Sequence, residues 1–264
     1  SNSLLNKLAL GRESIDAVSY TAVRLIAGAL TLWLISALQK NNVGSNVRGN
    51  WISAAMLFLY AIAFSFAYLS LSAGTGALIL FGSVQMTMIF VALRSGERPK
   101  LQEWLGVLTA LGGLVYLVMP GLRAPSPIGS ALMMLAGIAW GIYSLRGRGS
   151  ASPLADTAGN FIRAVPLIVI VRFVMLNDVF LTQSGILLAV LSGAVASGVG
   201  YVIWYTALAG LTATRAAIVQ LYVPVLAAWG GVLFLAEDLS LRLILAAAFI
   251  LGGIALAITG RGKA

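Results

Sequence analysis

Long apolar runs separated by short polar turns dominate the chain. They fall at residues 17–38, 51–71, 73–93, 102–119, 128–145, 157–176, 184–208, 212–235 and 241–259. A helix needs roughly 20 mainly apolar residues to cross a hydrocarbon layer about 30 Å thick, so each run predicts one membrane-spanning helix. A transmembrane β-barrel would instead need stretches of about 10 residues alternating apolar and polar. The run from Leu105 to Val118 does not alternate. The breaks carry turn chemistry: Gln39-Lys40-Asn41-Asn42, Asn46-Val47-Arg48-Gly49-Asn50, Arg98-Pro99, Pro120-Gly121 and Ser152-Pro153. No connection is long enough for a soluble domain, so one membrane domain is expected.

The start of the chain is too short to span, yet Leu4, Leu5, Leu8 and Leu10 read as the end of an apolar helix. No signal-peptide pattern is present. The expectation is a truncated first helix, giving ten spans in the intact protein, nine of them plus the end of the first visible here. A processed or engineered end is the alternative.

Sliding the chain on itself by about 140 residues reveals a repeat. Lys7 falls on Arg146, Arg24 on Arg163, and Ala77 and Ile79 on Ala216 and Ile218. After a one-residue gap Glu97 falls on Glu237, and Gly112-Gly113 on Gly252-Gly253. The repeats are residues 1–119, with an incomplete first helix, and residues 128–260. Five helices per repeat is an odd number, so the second half inserts upside down relative to the first. Inverted repeats recur in secondary transporters, with the solute site between the halves. The fold class read from the sequence is therefore an all-α polytopic membrane protein of two inverted five-helix repeats.

Composition narrows the chemistry. The 264 residues are 60% hydrophobic and 9% charged, with a mean hydropathy of +0.97. That is too little charge to coat a soluble globule, which carries about 25%. With no Cys and no His, the chain excludes disulfides, thiolate nucleophiles, Cys/His zinc sites, imidazole-ligated haem and a Ser-His-Asp triad. No cofactor and no enzymatic activity are expected. The net charge of +9 comes from basic residues spread between apolar runs, which argues for topology and against nucleic acid. Lys40, Arg48, Arg94, Arg98, Lys100, Arg146, Arg148, Arg261 and Lys263 fall on one side, and Lys7, Arg12, Arg123, Arg172 and Arg242 on the other. The bias places both termini in the cytoplasm.

At these residues the chain resembles the EamA-type branch of the drug/metabolite transporter superfamily. The resemblance rests on Asn2-Ser3 followed by Lys7-Leu8-Ala9, on Arg24-Leu25, and on Ala77-Leu78-Ile79. In the second half it rests on Thr214-Arg215-Ala216-Ala217, Pro224-Val225, Glu237 and Gly252-Gly253. It implies a ten-helix carrier in the cytoplasmic membrane of a bacterium, monomeric or homodimeric, moving amino acids, metabolites or drugs, often outward. It also implies a central cavity lined mainly by helices 1, 3, 4, 6, 8 and 9. Gln85 stands where the fourth helix of the family often has the proline matched here by Pro224.

Polar groups at membrane depth are costly and mark function by default. Gln85 in the fourth span and Gln220 in the ninth read as substrate-binding residues or as interhelical hydrogen bonds. Trp140, Tyr143, Tyr201, Trp204 and Tyr205 concentrate on the sixth and eighth spans. Rings with polar handles suit an amphipathic solute, although the same residues anchor helices at membrane interfaces. Tyr68 and Ser65 are weaker candidates on the third span. Pro224 removes a backbone donor and reads as a kink and gating point, or as a static bend. For Arg24, Arg163 and Arg215 an anion site is weighed against snorkelling to the interface, and snorkelling is preferred. Gly137-x-x-x-Gly141, Gly193-x-x-x-Ser197 and Ala196-x-x-x-Gly200 read as close helix contacts. Glu97 and Glu237 read as helix-end residues.

Every acid lies near a span end, so no proton carrier appears at the midplane of the visible chain. The functional expectation is a secondary transporter, exporter or exchanger, moving a small solute by alternating access. A passive facilitator or channel is the alternative, and an intramembrane enzyme a further one.

Overall fold

The computed structural model describes residues 2–11, 13–38, 48–94, 101–119, 124–147, 150–175, 179–201, 203–204 and 222–261. These form α1 (Asn2–Gly11), α2 (Ala17–Leu38), α3 (Trp51–Ala67), α4 (Ala73–Arg94) and α5 (Leu101–Val118). There follow α6 (Pro127–Gly147), α7 (Pro153–Val174), α8 (Gln183–Val190), α9 (Tyr222–Leu235) and α10 (Leu241–Arg261). Between α8 and residue 200 the chain continues without a break as a π-helix, Leu191–Val199. Among the described residues the fold is all-α, with one isolated antiparallel bridge between Ile15 and Leu181. Among the described residues four helices, Ala17–Leu38, Ala73–Val91, Pro127–Gly147 and Pro153–Val174, are long and apolar enough to cross a membrane.

The helix starts explain themselves locally. A membrane offers no water to the free N–H groups of a first turn, so side chains must take them. Asp16 Oδ1 accepts from Ser19 N at 2.8 Å at the head of α2, and Asn50 Oδ1 from Ser53 N at 2.9 Å at the head of α3. Thr182 Oγ1 does the same for Gly185 N at 3.1 Å. Helix α7 starts four residues earlier than the apolar run indicates, because Pro153 sits in its first turn, where the missing N–H costs nothing. Helix α3 stops earlier than its run: Tyr68 closes it, donating its backbone N–H to Phe64 O.

The helix pairings obey one exchange rule. Adding five to each label maps α2–α7, α4–α9 and α5–α10 onto themselves. It maps α3–α6 onto α8–α1, α3–α7 onto α8–α2, and α4–α6 onto α9–α1. All of these pairs are in contact. The α5–α10 pair meets glycine to glycine: a Cβ on Gly106 would lie 2.5 Å from Gly253 O, and one on Gly253 would lie 2.5 Å from Gly106 O. The doublet neighbours Gly112 and Gly252 face open space. Gly137 and Gly141 of α6 seat the α4 residues Ser83 and Thr87, as their spacing predicts. Outward faces carry large exposed apolar residues such as Leu108, Trp229, Leu233 and Phe249, a surface suited to lipid.

Candidate functional site

Helix α3 places Tyr60, Phe64 and Tyr68 four residues apart, so their side chains share one face. The ring centroids stand 5.3 Å apart for Tyr60–Phe64 and 4.8 Å for Phe64–Tyr68. Trp140 of α6 reaches across to within 4.8 Å of Tyr60 and lies 5.4 Å from Tyr143. On the far side Trp140 meets Tyr201 at 5.3 Å, and Tyr201 meets Phe161 of α7 at 5.9 Å. Rings from α3, α6, α7 and the helix after the π segment thus form one continuous cluster.

Arg24 projects into this cluster from α2. Seven residues at 1.5 Å rise put it about 10 Å along the helix from Ala17. It is only 2% exposed, which corrects the snorkelling reading: the side chain turns inward between helices and does not climb to the interface. Its Nη2 donates to Tyr60 Oη at 3.1 Å, and the guanidinium carbon lies 5.3 Å from the Tyr60 centroid and 5.2 Å from that of Phe64. Gly193 makes this crossing possible. A Cβ there would lie 2.9 Å from the Arg24 carbonyl carbon and still closer to its oxygen. Gly28, one turn on, leaves room for the Phe161 ring, 2.5 Å from where a Cβ would sit.

A band of small polar groups adjoins the rings. Thr21 Oγ1 donates to Ser65 Oγ at 2.8 Å, and Asn6 Nδ2 donates to the same oxygen at 3.3 Å. Asn2 spans the π segment: Ser192 Oγ donates to its Oδ1 at 2.8 Å, and its Nδ2 donates to Ser197 Oγ at 3.3 Å. Burying these groups without partners would cost about 1–3 kcal/mol each, so the pairing holds α1 against α3 and the π segment.

Two clasps close opposite ends of the bundle. At one end the backbone leading into α3 is gripped by α6 and α7. Asp156 accepts from Gly49 N at 3.1 Å, Asn160 accepts from Asn50 N at 3.0 Å, and Arg163 donates to Arg48 O at 2.6 Å. Arg146 adds bonds to Ser53 Oγ at 3.1 Å and Asn50 Oδ1 at 3.3 Å. Arg48, Asn50, Arg146, Asp156, Asn160 and Tyr143 help line a cavity of about 240 Å³. At the other end the α1–α2 connection pairs with that between α7 and α8. Asp16 N donates to Phe180 O at 3.0 Å, Thr182 N donates to Ser14 O at 2.9 Å, and Arg172 meets Asp16 at 3.3 Å. The exchange rule that relates the helix pairs also relates these two clasps.

Of the residues singled out from the sequence, Tyr143 and Tyr201 come together on Trp140, which also meets Tyr60. Trp204 is half-buried one turn beyond Tyr201. Tyr68 is fully buried and joins the cluster only through Phe64, while its hydroxyl donates to Ala73 O at 3.4 Å. Gln85 is buried on α4, two residues from the Thr87 that packs on Gly141. Pro224 is buried in the first turn of the described part of α9. Tyr205, Gln220 and Arg215 lie outside the described residues. Arg163 serves the clasp: its Nη1 donates to both Arg48 O and Gly159 O. Glu237 caps the start of another helix, accepting from Ala73 N at 2.8 and 2.9 Å. Sequence reasoning passed over Tyr60, Phe64 and Phe161. The four-residue spacing Tyr60, Phe64, Tyr68 was the available signal for the first two.

Apolar helices that expose hydrocarbon-like faces and bury a cation, a ring cluster and a polar band define a multi-pass membrane protein. The model of the EamA-like transporter family matches residues 2–119 and 127–259, and the chain belongs to that family, whose members are membrane transporters of small solutes. It is 51% identical to the uncharacterized protein PA1977 of Pseudomonas aeruginosa, over 98% of this chain and 90% of that one. It is 20% identical to YoaV of Bacillus subtilis, named an uncharacterized transporter, over 93% of this chain and 88% of that protein. One crystal structure superposes with a TM-score of 0.68 at 22% identity, covering 96% of this chain and 93% of its own, a likeness of fold.

Proposed function

We propose that the chain is a carrier, an exporter or exchanger, that moves a small organic solute across the cytoplasmic membrane by alternating access. Its halves are the inverted repeats 1–119 and 128–260, with both termini in the cytoplasm. The solute sits against Trp140, Tyr143 and Tyr201, with Tyr60 and Phe64 completing the wall. Gln85, Tyr68, Trp204, Tyr205 and Gln220 stand as further contacts, and Pro224 as the pivot of α9. The observation that carries this reading is the pair of clasps at opposite ends of one ring-lined centre, exchanged by the rule that exchanges the helices. Releasing one while the other holds would open the centre to one side at a time. Bonds of this type contribute about 1 kcal/mol each, so a clasp is breakable by modest binding energy.

Counterflow in proteoliposomes tests the carrier. Vesicles preloaded with an unlabelled panel of amino acids and carboxylic metabolites should accumulate a labelled member transiently, and the uptake should saturate. Flux that rises linearly with concentration and shows no counterflow would replace the carrier with a passive channel. The chain has no cysteine, so paired cysteines at Asn50 and Asn160, or at Ser14 and Thr182, can be cross-linked on a clean background. Locking either clasp should stop counterflow, and full counterflow with both locked would refute the two-clasp mechanism. Uptake unchanged by an imposed pH gradient is expected, since every acid of the sequence lies near the end of an apolar run.

A further inference from the structure

A buried cation needs an anion, and among the described residues no acid is paired with Arg24. An arginine stays protonated in proteins and carries five N–H donors. Here Nη2 serves Tyr60, and the faces of Tyr60 and Phe64 lie within cation–π range. Nη1 is buried and has no hydrogen-bond partner. The acids of the sequence are Glu13, Asp16, Glu97, Glu103, Asp156, Asp178, Glu237 and Asp238. None lies between residues 17 and 96 or between 179 and 236, the stretches that hold α2, α3, α4, α8 and α9. Asp16, the nearest along the chain, is engaged with Arg172, Ser19 N and Phe180 N. Leaving a charge uncompensated at this depth is costly, and ring faces offset only part of that cost.

We propose that Arg24 is the anchor for a carboxylate on the transported solute, with Nη1 as the donor held in reserve for it. The proposal rests on the carrier reading and narrows its substrate class to small monocarboxylates. Among the described residues Arg24 is the one cation in contact with the rings of Tyr60 and Phe64, while Lys7 Nζ is held by Tyr68 O at 3.2 Å, so the site matches one negative charge and not a phosphate dianion. The rings of Tyr60, Trp140 and Tyr201 supply an apolar wall for the rest of the molecule. The same arrangement makes Tyr60 a positioning residue, since its hydroxyl fixes the guanidinium through Nη2 and leaves Nη1 free.

The test uses isosteric probe pairs that differ only in charge: acetate and acetamide, butyrate and butyramide, 3-phenylpropionate and 3-phenylpropionamide. Binding to the purified full chain in detergent is read by thermal shift and by quenching of tryptophan fluorescence at constant ionic strength. A hydrogen bond to a charged group predicts that at least one carboxylate binds about 10- to 100-fold tighter than its amide. In Arg24→Gln that preference should fall to within about twofold, and Arg24→Lys should restore part of it. Tyr60→Phe keeps the charge but removes the bond that positions the guanidinium, so the preference should fall, though by less than in Arg24→Gln. Amides that match their carboxylates in the unsubstituted protein overturn the proposal, and so does a preference that survives Arg24→Gln. If Arg24→Gln fails to run as a single species on size exclusion, the unsubstituted protein and Arg24→Lys decide. Binding needs no flux, so carboxylate preference without counterflow removes the carrier reading and leaves this site standing. Counterflow without the preference does the reverse.

Discussion

Replacing Gly193 by alanine should force α2 and the π segment apart at the point where Arg24 enters the ring cluster. The new methyl would sit 2.9 Å from the Arg24 carbonyl carbon and 3.0 Å from the Ala27 Cβ. Carbon atoms pack at about 3.5–4.0 Å, so the two backbones must separate by about 1 Å. Neither obstacle is the loose end of a flexible side chain, so local adjustment cannot absorb the clash. A gap of that size forfeits a quarter to a half of the dispersion energy along the seam, including the fit of Gly28 against Phe161. Overpacking of this kind costs about 1–3 kcal/mol, which for a chain of this length corresponds to a fall in Tm of about 3–10 °C. The assay is thermal unfolding of the detergent-purified protein followed by tryptophan fluorescence. Gly252→Ala is the control, because nothing lies within 4 Å of its added Cβ. There alanine removes a helix-interior glycine and should be neutral or raise stability by about 0.5–1 kcal/mol. If Gly193→Ala melts no lower than Gly252→Ala, the close crossing is not a real constraint and the placement of Arg24 loses its support.

Other outcomes follow from single residues. Glu237→Ala should lower stability by about 1–2 kcal/mol, because it uncaps α4 at Ala73 N, and Glu237→Gln should cost less than half of that; thermal melts of both variants check the order. Asp16→Ala should destabilise more than Arg172→Ala, since Asp16 also accepts from Ser19 N and Phe180 N, whereas the ion pair alone is partly exposed and contributes under about 1 kcal/mol. Ala236 holds a positive φ of 52°, so Ala236→Gly should raise the melting temperature by relieving about 1 kcal/mol of backbone strain; an unchanged or lower value would contradict that assignment.

How much was legible divides along a physical line. Depth can be read from a sequence and azimuth cannot. The apolar runs gave α2 at residues 17–38 to the residue, and α10 within two, because hydrocarbon thickness imposes length. A span is apolar on every side, since lipid and packed protein accept the same side chains, so its inward face leaves little periodic signal. That is why Arg24 was located correctly along α2 but assigned the wrong direction. Rings on α6 and after α8 were found because Trp and Tyr carry polar groups that stand out. Phe64 and Phe161 have none and were passed over, and Tyr60 was missed although it stands four residues before Phe64. The π segment left no mark either: Gly193-x-x-x-Ser197 and Ala196-x-x-x-Gly200 read as ordinary small-residue packing.

That segment has a further geometric property. Each i→i+5 ring between Leu191 and Val199 stores one residue more than an α-helical ring. Re-closing a single turn as α would pass the surplus residue onward and swing everything after it about 100° around the axis. Tyr201 and Trp204 lie directly downstream, while Ser192 and Ser197, the partners of Asn2, lie within the segment itself. The π segment therefore ties the α1 residue Asn2, through Ser192 and Ser197, to the same stretch of helix that carries Tyr201 and Trp204.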